Sequence, residues 1–592
     1  MCGICGELRI DGARPDRDLI IKMNRVLAHR GPDDEGFYEA GPVAFGHRRL
    51  AIIDLSSLAH QPMVDEPLGL AIVFNGTIYN YKSLRTRLQG MGHEFMSSGD
   101  TEVILKAYAE WGEDCIYQLT GMFAFVLWDQ HRQTLFMARD RVGIKPLYYA
   151  SVSGGIRFAS SMQSLLSGGD IDTTFDPVAL HYQFSLHGVV PAPHTIFKGI
   201  RKLMPAHTLT VSLNGEQSLR RYWSLKAARP NSIRSDGEWL EETHVLLKQA
   251  VKRRMLASDV PVGVLLSGGL DSSLLVALLA EQGQKSLLTF SVGFEDQPEE
   301  KGSEFEYSDQ VVAQYNTHHH KILIPNDEVI KRLPEAVSEM TEPMFGQDAV
   351  AFYLLAEQVS RHVKVVQSGQ GADEVFAGYF WYQHMADASG DVLERFAPHY
   401  FDRDHAEITR MINPALVDQD YTSAFIESQL TKSNADTYID QVLRLDAATL
   451  VVDDPVKRVD NMTMAWGLEA RVPFLDHDLV EWAASMPPHL KLASGGKHAL
   501  KQIARGLLPD AVIDRPKGYF PVPALKFVRG DVLKFMREIL LSETCRSRGL
   551  YQQPYVERLL AEPEAHFTPI KGSKLWHLAV FELWLQRNLT GF

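Results

Sequence analysis

Short apolar runs of strand length fill the first 225 or so residues, and a longer rhythm of strand and helix fills the rest. Residues 43–54, 70–74, 122–128 and 134–138 are rich in β-branched and aromatic side chains and end on turn residues, which predicts strands. Residues 81–89 and 101–111 read as helices. This half therefore predicts stacked sheets flanked by helices. Residues 227–237 are polar and carry Pro230, which predicts a linker. Beyond it, 262–266 reads as an apolar strand, followed by a Gly/Ser turn and a helix over 271–281. Residues 287–294 and 363–367 repeat the strand pattern, with a helix near 309–315 between them. Strands alternating with helices predict a parallel α/β sheet, with functional residues at the C-terminal ends of its strands. Past about residue 400 the pattern is mostly helical. The boundaries expected are 1–225 for one domain and 226–592 for the other.

The formal net charge of −14 excludes the clustered positive surface that nucleic acid requires, so no nucleic-acid partner is expected. No apolar run approaches the ~18–20 residues that cross a bilayer, and Glu7, Arg9 and Asp11 stand where a signal peptide would be apolar. Four cysteines in 592 residues make no disulfide framework. A cytoplasmic location with no membrane partner follows as an expectation. Cys2 and Cys5 have zinc half-site spacing, but no further Cys or His follows closely enough to complete a site.

Candidate chemistry begins at Cys2, directly after Met1. Removal of Met1 would leave a thiol and a free α-amine on one carbon, and an amine of pKa roughly 7.7–8.0 is a usable base at neutral pH. Three groups accompany it: Arg49-Leu50 before an apolar run, Asn75-Gly76-Thr77 at the end of a strand, and Gly99-Asp100 at a helix start. Asn75 and the Gly76 N–H suit an oxyanion, Arg49 suits a carboxylate and Asp100 suits an ammonium. Each also has an ordinary use, since Asn-Gly makes turns and Asp100 reads as a helix cap.

Taken together, these residues resemble the class II glutamine amidotransferases, whose glutaminase domain is of the N-terminal-nucleophile hydrolase type. The resemblance also rests on His29-Arg30-Gly31-Pro32-Asp33, Gly121-Met122-Phe123-Ala124, Arg139-Asp140 and Pro146-Leu147-Tyr148, and it covers nearly all of 1–160. It implies an α+β fold, an αββα sandwich. Cys2 would attack the glutamine amide, assisted by Asn75 and Gly76. Arg49, Leu50, Ile53, Asn75, Gly76, Thr77 and Asp100 would bind glutamine. The family usually has Glu where Thr77 stands, and that Glu helps to bind the glutamine amine.

In the second half, Leu265-Leu266-Ser267-Gly268-Gly269-Leu270-Asp271-Ser272 joins a strand to a helix. Backbone N–H groups at such a turn cradle phosphate, although no Walker A lysine follows. The motif resembles the PP-loop of N-type ATP pyrophosphatases. With Ser368-Gly369-Gln370-Gly371-Ala372-Asp373-Glu374 and Gly467-Leu468-Glu469-Ala470-Arg471, it resembles the synthetase domain of the glutamine-hydrolysing asparagine synthetases, from about Val260 to Lys517. That resemblance implies an α/β parallel-sheet domain that adenylates a carboxylate. ATP would be held by Leu265, Ser267, Gly268, Gly269, Asp271, Ser272, Val292, Ser368 and Gly369, and Mg²⁺ by Asp271 and Asp373. Gln370, Asp373, Glu374, Asn461, Glu469 and Arg471 would form the acceptor and transition-state region.

The sequence departs from the aspartate-using members at Gln370, where they have Glu, and at Asn461, where they have Lys or Arg. Residues 342–348 also lack the usual Asp-Pro pair. These changes resemble the N-acetylglutaminylglutamine amide synthetases, which amidate a dipeptide. The partners expected are glutamine and a carboxylate acceptor, either a peptide or aspartate, with a homodimer left open. A β-lactam-synthetase-like cyclase is a rival that needs no Cys2 group. A catalytically silent regulator is another, motivated by Thr77, Gln370 and Asn461. His318-His319-His320 reads as strand rather than metal site, Tyr379-Phe380-Trp381-Tyr382 as packing, and the acidic stretch 295–306 as a solvated loop that orders over the nucleotide.

Overall fold

The computed structural model describes residues 2–297, 301–432, 434–515, 522–526 and 528–589. Met1, part of the acidic stretch 295–306 and the Lys517 end of the second resemblance lie outside them. The first domain contains two six-stranded sheets. One is ordered Arg201–Lys202, Tyr148–Val152, Gly155–Ala159, Gly3–Arg9, Val43–Arg49, Asp34–Ala40, and the other Gln217–Arg221, His207–Ser212, Thr134–Arg139, Gly121–Asp129, Leu70–Ile78, Met63–Asp65. Alternate side chains from both, among them Ile4, Phe45, Val73, Trp128 and Met137, form one dry layer between the sheets. Helices Arg17–Val26 and Met162–Ser167 cover the outer face of the first sheet, and Tyr81–Gly90 and Asp100–Trp111 cover that of the second. This is the αββα sandwich.

Three local expectations change. The strand expected over 43–54 ends at Arg49, because the chain then wraps around the Arg49 guanidinium, which donates to the carbonyls of Ile53, Asp54 and Ser56. Asn75-Gly76 is not a turn. It lies inside strand Leu70–Ile78, paired with Ala124 and Phe123. Asp100 is not the cap of its helix: Gly99 holds that position, and the Asp100 carboxylate accepts the Ile78 N–H at 2.9 Å.

The linker is shorter than expected and tied down. Ala227 N–H donates to Asn434 O, and Arg229 pairs with Asp436 and Asp440. Ser235 and Glu238 then form a capping box that starts helix Asp236–Leu256, so Gly237 is helical. The second domain carries a five-stranded parallel sheet ordered His318–Ile324, Leu288–Phe294, Val262–Leu265, Val365–Gln367, Glu469–Arg471. Its fifth strand has no sequence signal, being three residues long with two of them charged. Helices follow to Leu589. His319 meets Thr289 while His320 stacks on Phe290, so the triplet diverges as its strand requires. Trp381 and Tyr382 are buried and Tyr379 stacks on Trp381, the packing use expected. The acidic stretch is anchored where it is described: Glu295 accepts the Asn326 N–H and Glu304 pairs with Arg515.

Candidate active sites

Cys2 precedes the central strand Gly3–Arg9, beside the end of Val43–Arg49 and facing Leu70–Ile78 of the other sheet. The two sheets end there in a cavity. Cys2, Arg49, Leu50, Ile53, Gly76, Thr77 and Asp100, seven of the residues singled out in the sequence, line it, and so does Glu469 of the second domain. Asn75 stands behind Cys2, wholly buried, and its Oδ1 accepts from the Cys2 backbone nitrogen at 3.0 Å. Its Nδ2 is buried without a partner, a donor available to an incoming oxygen. Gly76 has no room for a side chain, since a Cβ would lie 2.2 Å from the Met122 carbonyl oxygen.

Burial pushes the Cys2 thiol above its ordinary range, against the pull of Arg49. The thiol is therefore neutral at pH 7 and needs a base. Burial also raises the Asp100 carboxyl to about 6. Arg49 is held rigidly by its three carbonyl contacts. Cys5, on the same strand, is buried on the other side against Ile20, and its thiol is pushed up to about 12 by burial. The two cysteines do not converge.

At the second site, strand Val262–Leu265 leads into the Ser267–Gly269 turn and helix Leu270–Glu281, with Gly269 as its N-cap. Ser272 Oγ accepts the Ser267 N–H at 3.1 Å and Ser267 Oγ accepts the Gly269 N–H at 3.2 Å, which shapes the turn. Gly268 has φ +75°, and a Cβ there would meet Ser308 N at 2.6 Å. Val292 lies on the neighbouring strand. The Ser368–Gly371 turn abuts this one, for a Cβ on Gly369 would be 3.0 Å from that of Asp271. Gln370 is half-buried on it, and Glu374 accepts the Tyr379 hydroxyl at 2.7 Å. Lys497 Nζ bridges the turns, 2.6 Å from Asp271 and 2.8 Å from Asp373. Burial lowers its pKa, but the two carboxylates outweigh that and raise it. Lys497, which follows Gly495-Gly496, was not singled out in the sequence. Its only signal is a lysine at a glycine turn.

Two expected acceptor residues are elsewhere. Glu469 lines the Cys2 cavity, and Arg471 is wholly buried beside it with its Nε 2.5 Å from Glu469 Oε1. They lie between the sites because the short strand Glu469–Arg471 is the sheet edge that meets the first domain. Asn461 is buried and its Oδ1 accepts the Thr341 N–H at 2.8 Å. A lysine there could not accept that bond.

A family model described as asparagine synthase matches residues 242–586, and a glutamine amidotransferase domain model matches 1–223. Asparagine synthetase [glutamine-hydrolyzing] 1 of Bacillus subtilis is 31% identical, with 100% of this chain and 97% of the relative covered. Asparagine synthetase [glutamine-hydrolyzing] 3 of the same organism is 32% identical over 99% and 98%. Asparagine synthetase [glutamine-hydrolyzing] 2 of Arabidopsis thaliana is 30% identical over 88% and 76%. No helix among the described residues is long and apolar enough to cross a membrane. With a cysteine cavity in one domain and paired glycine turns in the other, the chain belongs to the glutamine-hydrolysing asparagine synthetase family, the carbon–nitrogen ligases that draw nitrogen from glutamine.

Proposed function

We propose that Cys2, exposed as the first residue by loss of Met1, attacks the glutamine side-chain amide. Its α-amine takes the thiol proton and passes it to the leaving ammonia, and water then hydrolyses the thioester to glutamate. Asn75 Nδ2 and the Gly76 N–H receive the oxyanion, Arg49 the α-carboxylate and Asp100 the α-ammonium. The observation that carries this reading is the single cavity shared by Cys2, Arg49 and Asp100, with the buried Asn75 amide N–H₂ unpartnered behind it.

In the second domain the Ser267–Ser272 turn, Leu265, Val292, Ser368 and Gly369 hold ATP. The acceptor carboxylate attacks the α-phosphorus and pyrophosphate leaves. Ammonia displaces AMP from the adenylate to give the amide. Asp271 and Asp373 offer carboxylate oxygens, the donors that suit Mg²⁺, and Mg²⁺ bound there would neutralise phosphate charge. Lys497 adds a fixed positive charge between them. The acceptor is a peptide carboxylate such as N-acetylglutaminylglutamine. The supporting observation is that Gln370 and Asn461 are neutral and that Asn461 is spent on the Thr341 backbone. Aspartate is the second reading, favoured by the names of the relatives. The deciding experiment incubates the enzyme with ATP, Mg²⁺, glutamine and a panel of acids. Mass spectrometry then seeks the one-unit mass loss that converts –OH to –NH₂.

A further inference from the structure

Among the described residues the Cys2 cavity is lined by one cation, Arg49, and two carboxylates, Asp100 and Glu469. Glutamine brings one carboxylate and one ammonium. Arg49 matches the first, and the two anions differ in fitness for the second. Burial holds Asp100 near 6, and one of its oxygens accepts the Ile78 N–H. Burial would raise Glu469 too, but nearby positive charges, Arg471 and Lys145 among the described residues, outweigh it and lower this carboxyl. Glu469 is thus held in its charged form, with Arg471 Nε 2.5 Å from its Oε1. Its Oε1 also lies 3.3 Å from Thr77 Oγ1, on the strand that carries Asn75 and Gly76. Glu469 is 392 positions from Thr77 and belongs to the edge strand of the other domain's sheet.

Resting on the glutaminase reading above, we propose that Glu469 reaches across from the synthetase sheet to receive the α-ammonium of glutamine together with Asp100, and thereby selects an α-amino amide. The glutamine pocket is then a composite of both domains. Each carboxylate–ammonium contact of this kind contributes a roughly 10- to 100-fold preference.

The test uses the full chain and two substrates, L-glutamine and glutaramate, which has the same carbon skeleton and amide but no α-amine. Wild type is expected to prefer glutamine in kcat/KM, and Glu469→Gln to lose roughly 10- to 100-fold of that preference by weakening glutamine alone. Unchanged glutaramate turnover reports that the variant folds and that its thiol works. Adding Thr77→Glu to Glu469→Gln puts a carboxylate back on the side chain whose Oγ1 lies 3.3 Å from Glu469 Oε1 and is expected to restore the preference. If Glu469→Gln lowers both substrates equally, Glu469 acts through the Cys2 amine or Arg471 and the proposal is overturned. If wild type hydrolyses neither substrate, the glutaminase reading falls and this proposal with it.

Discussion

Arg30 of the first domain donates to Asp460 of the second at 2.9 Å, both side chains almost fully buried. The Arg30 Nε also donates to the Cys2 carbonyl at 3.3 Å, and Lys145 Nζ adds a second contact to Asp460 at 3.1 Å. One synthetase carboxylate therefore anchors the backbone that carries the thiol. Burial would raise the Asp460 carboxyl, but the two cations outweigh it and hold it below the ordinary range.

Asp460→Asn leaves two buried cations without their counter-charge. A loss of about 3–5 kcal/mol is expected, read as a fall in the urea midpoint of the full chain. The sign with pH follows from the lowered carboxyl. Its contribution is present above the ordinary carboxylate pKa and is lost as pH falls through the depressed folded value. Asp460→Asn should therefore be less sensitive to acid than wild type. A variant that unfolds at the wild-type urea midpoint would show that the anchor contributes nothing.

Cys2→Ala is expected to abolish glutamine-dependent synthesis and to spare synthesis from ammonium salts. The thiol lines a cavity where the first domain's sheets end, and the nucleotide turns lie at the other strand ends of a separate sheet. Parallel assays with each nitrogen source decide it. Loss of both activities would contradict separate sites.

Much of this arrangement was legible in the sequence, because strands of the first domain carry runs of apolar residues and the glycine turns carry their own backbone demands. The Cys2 group was legible through its resemblance to a known family and not through local signals, since Asn75-Gly76 is not a turn and Asp100 is not a helix cap. What was not legible depends on contacts between distant segments. The resemblance placed Glu469 and Arg471 with the nucleotide turns, and strand Glu469–Arg471 does pair with Val365–Gln367, the Ser368 N–H donating to the Arg471 carbonyl. Only the fold shows that the Glu469 side chain lines the other domain's cavity. Lys497 likewise becomes visible only when Asp271 and Asp373 close around it.

Lys497→Met is expected to lower pyrophosphate release by roughly 100-fold or more, the scale of removing a fixed charge at a reacting phosphate, while glutamine hydrolysis persists. Asp271→Asn and Asp373→Asn should lose pyrophosphate release as well, but with partial recovery as Mg²⁺ is raised. Lys497→Met should show no such recovery, because metal cannot replace the ammonium on its stem. A pyrophosphate assay across a Mg²⁺ series separates the two behaviours. Wild-type release in either Asp variant at low Mg²⁺ would remove those residues from the site.

The raised Asp100 carboxyl gives a pH signature. Free enzyme carries the charge above about 6 and loses it below, so kcat/KM for glutamine hydrolysis should fall as pH drops through about 6. Bound ammonium stabilises the ionised form, so the same step in kcat should lie at lower pH. Asp100→Asn should remove the step from kcat/KM and raise KM. If the step survives in Asp100→Asn, another group titrates there.

The acceptor is the last question, and here the surroundings of Asn461 carry the argument. An aspartate-using site must grip a small zwitterion, and a site for any acceptor must stabilise the charge that develops when the carboxylate attacks phosphorus. A cation facing that charge is worth several kcal/mol in a dry site. Asn461 supplies none, and it is fixed by the Thr341 N–H, so its amide oxygen is occupied by structure. Glu342, next in the chain, is likewise turned to the domain interface, 3.0 Å from Lys202 and within reach of the Tyr148 hydroxyl. Neither residue is disposed to read an α-amino group. A blocked peptide has no such group to read and brings amides that neutral side chains such as Gln370 can match. N-acetylglutaminylglutamine is therefore expected to exceed aspartate in kcat/KM by at least roughly 10-fold, the scale of one hydrogen bond to a charged group. Asn461→Lys should lower peptide turnover without creating aspartate turnover, because the Thr341 N–H is left unpaired. Side-by-side kinetics with both acids decide the matter. A higher kcat/KM for aspartate would make this chain an asparagine synthetase in which Gln370 and Asn461 are tolerated variation.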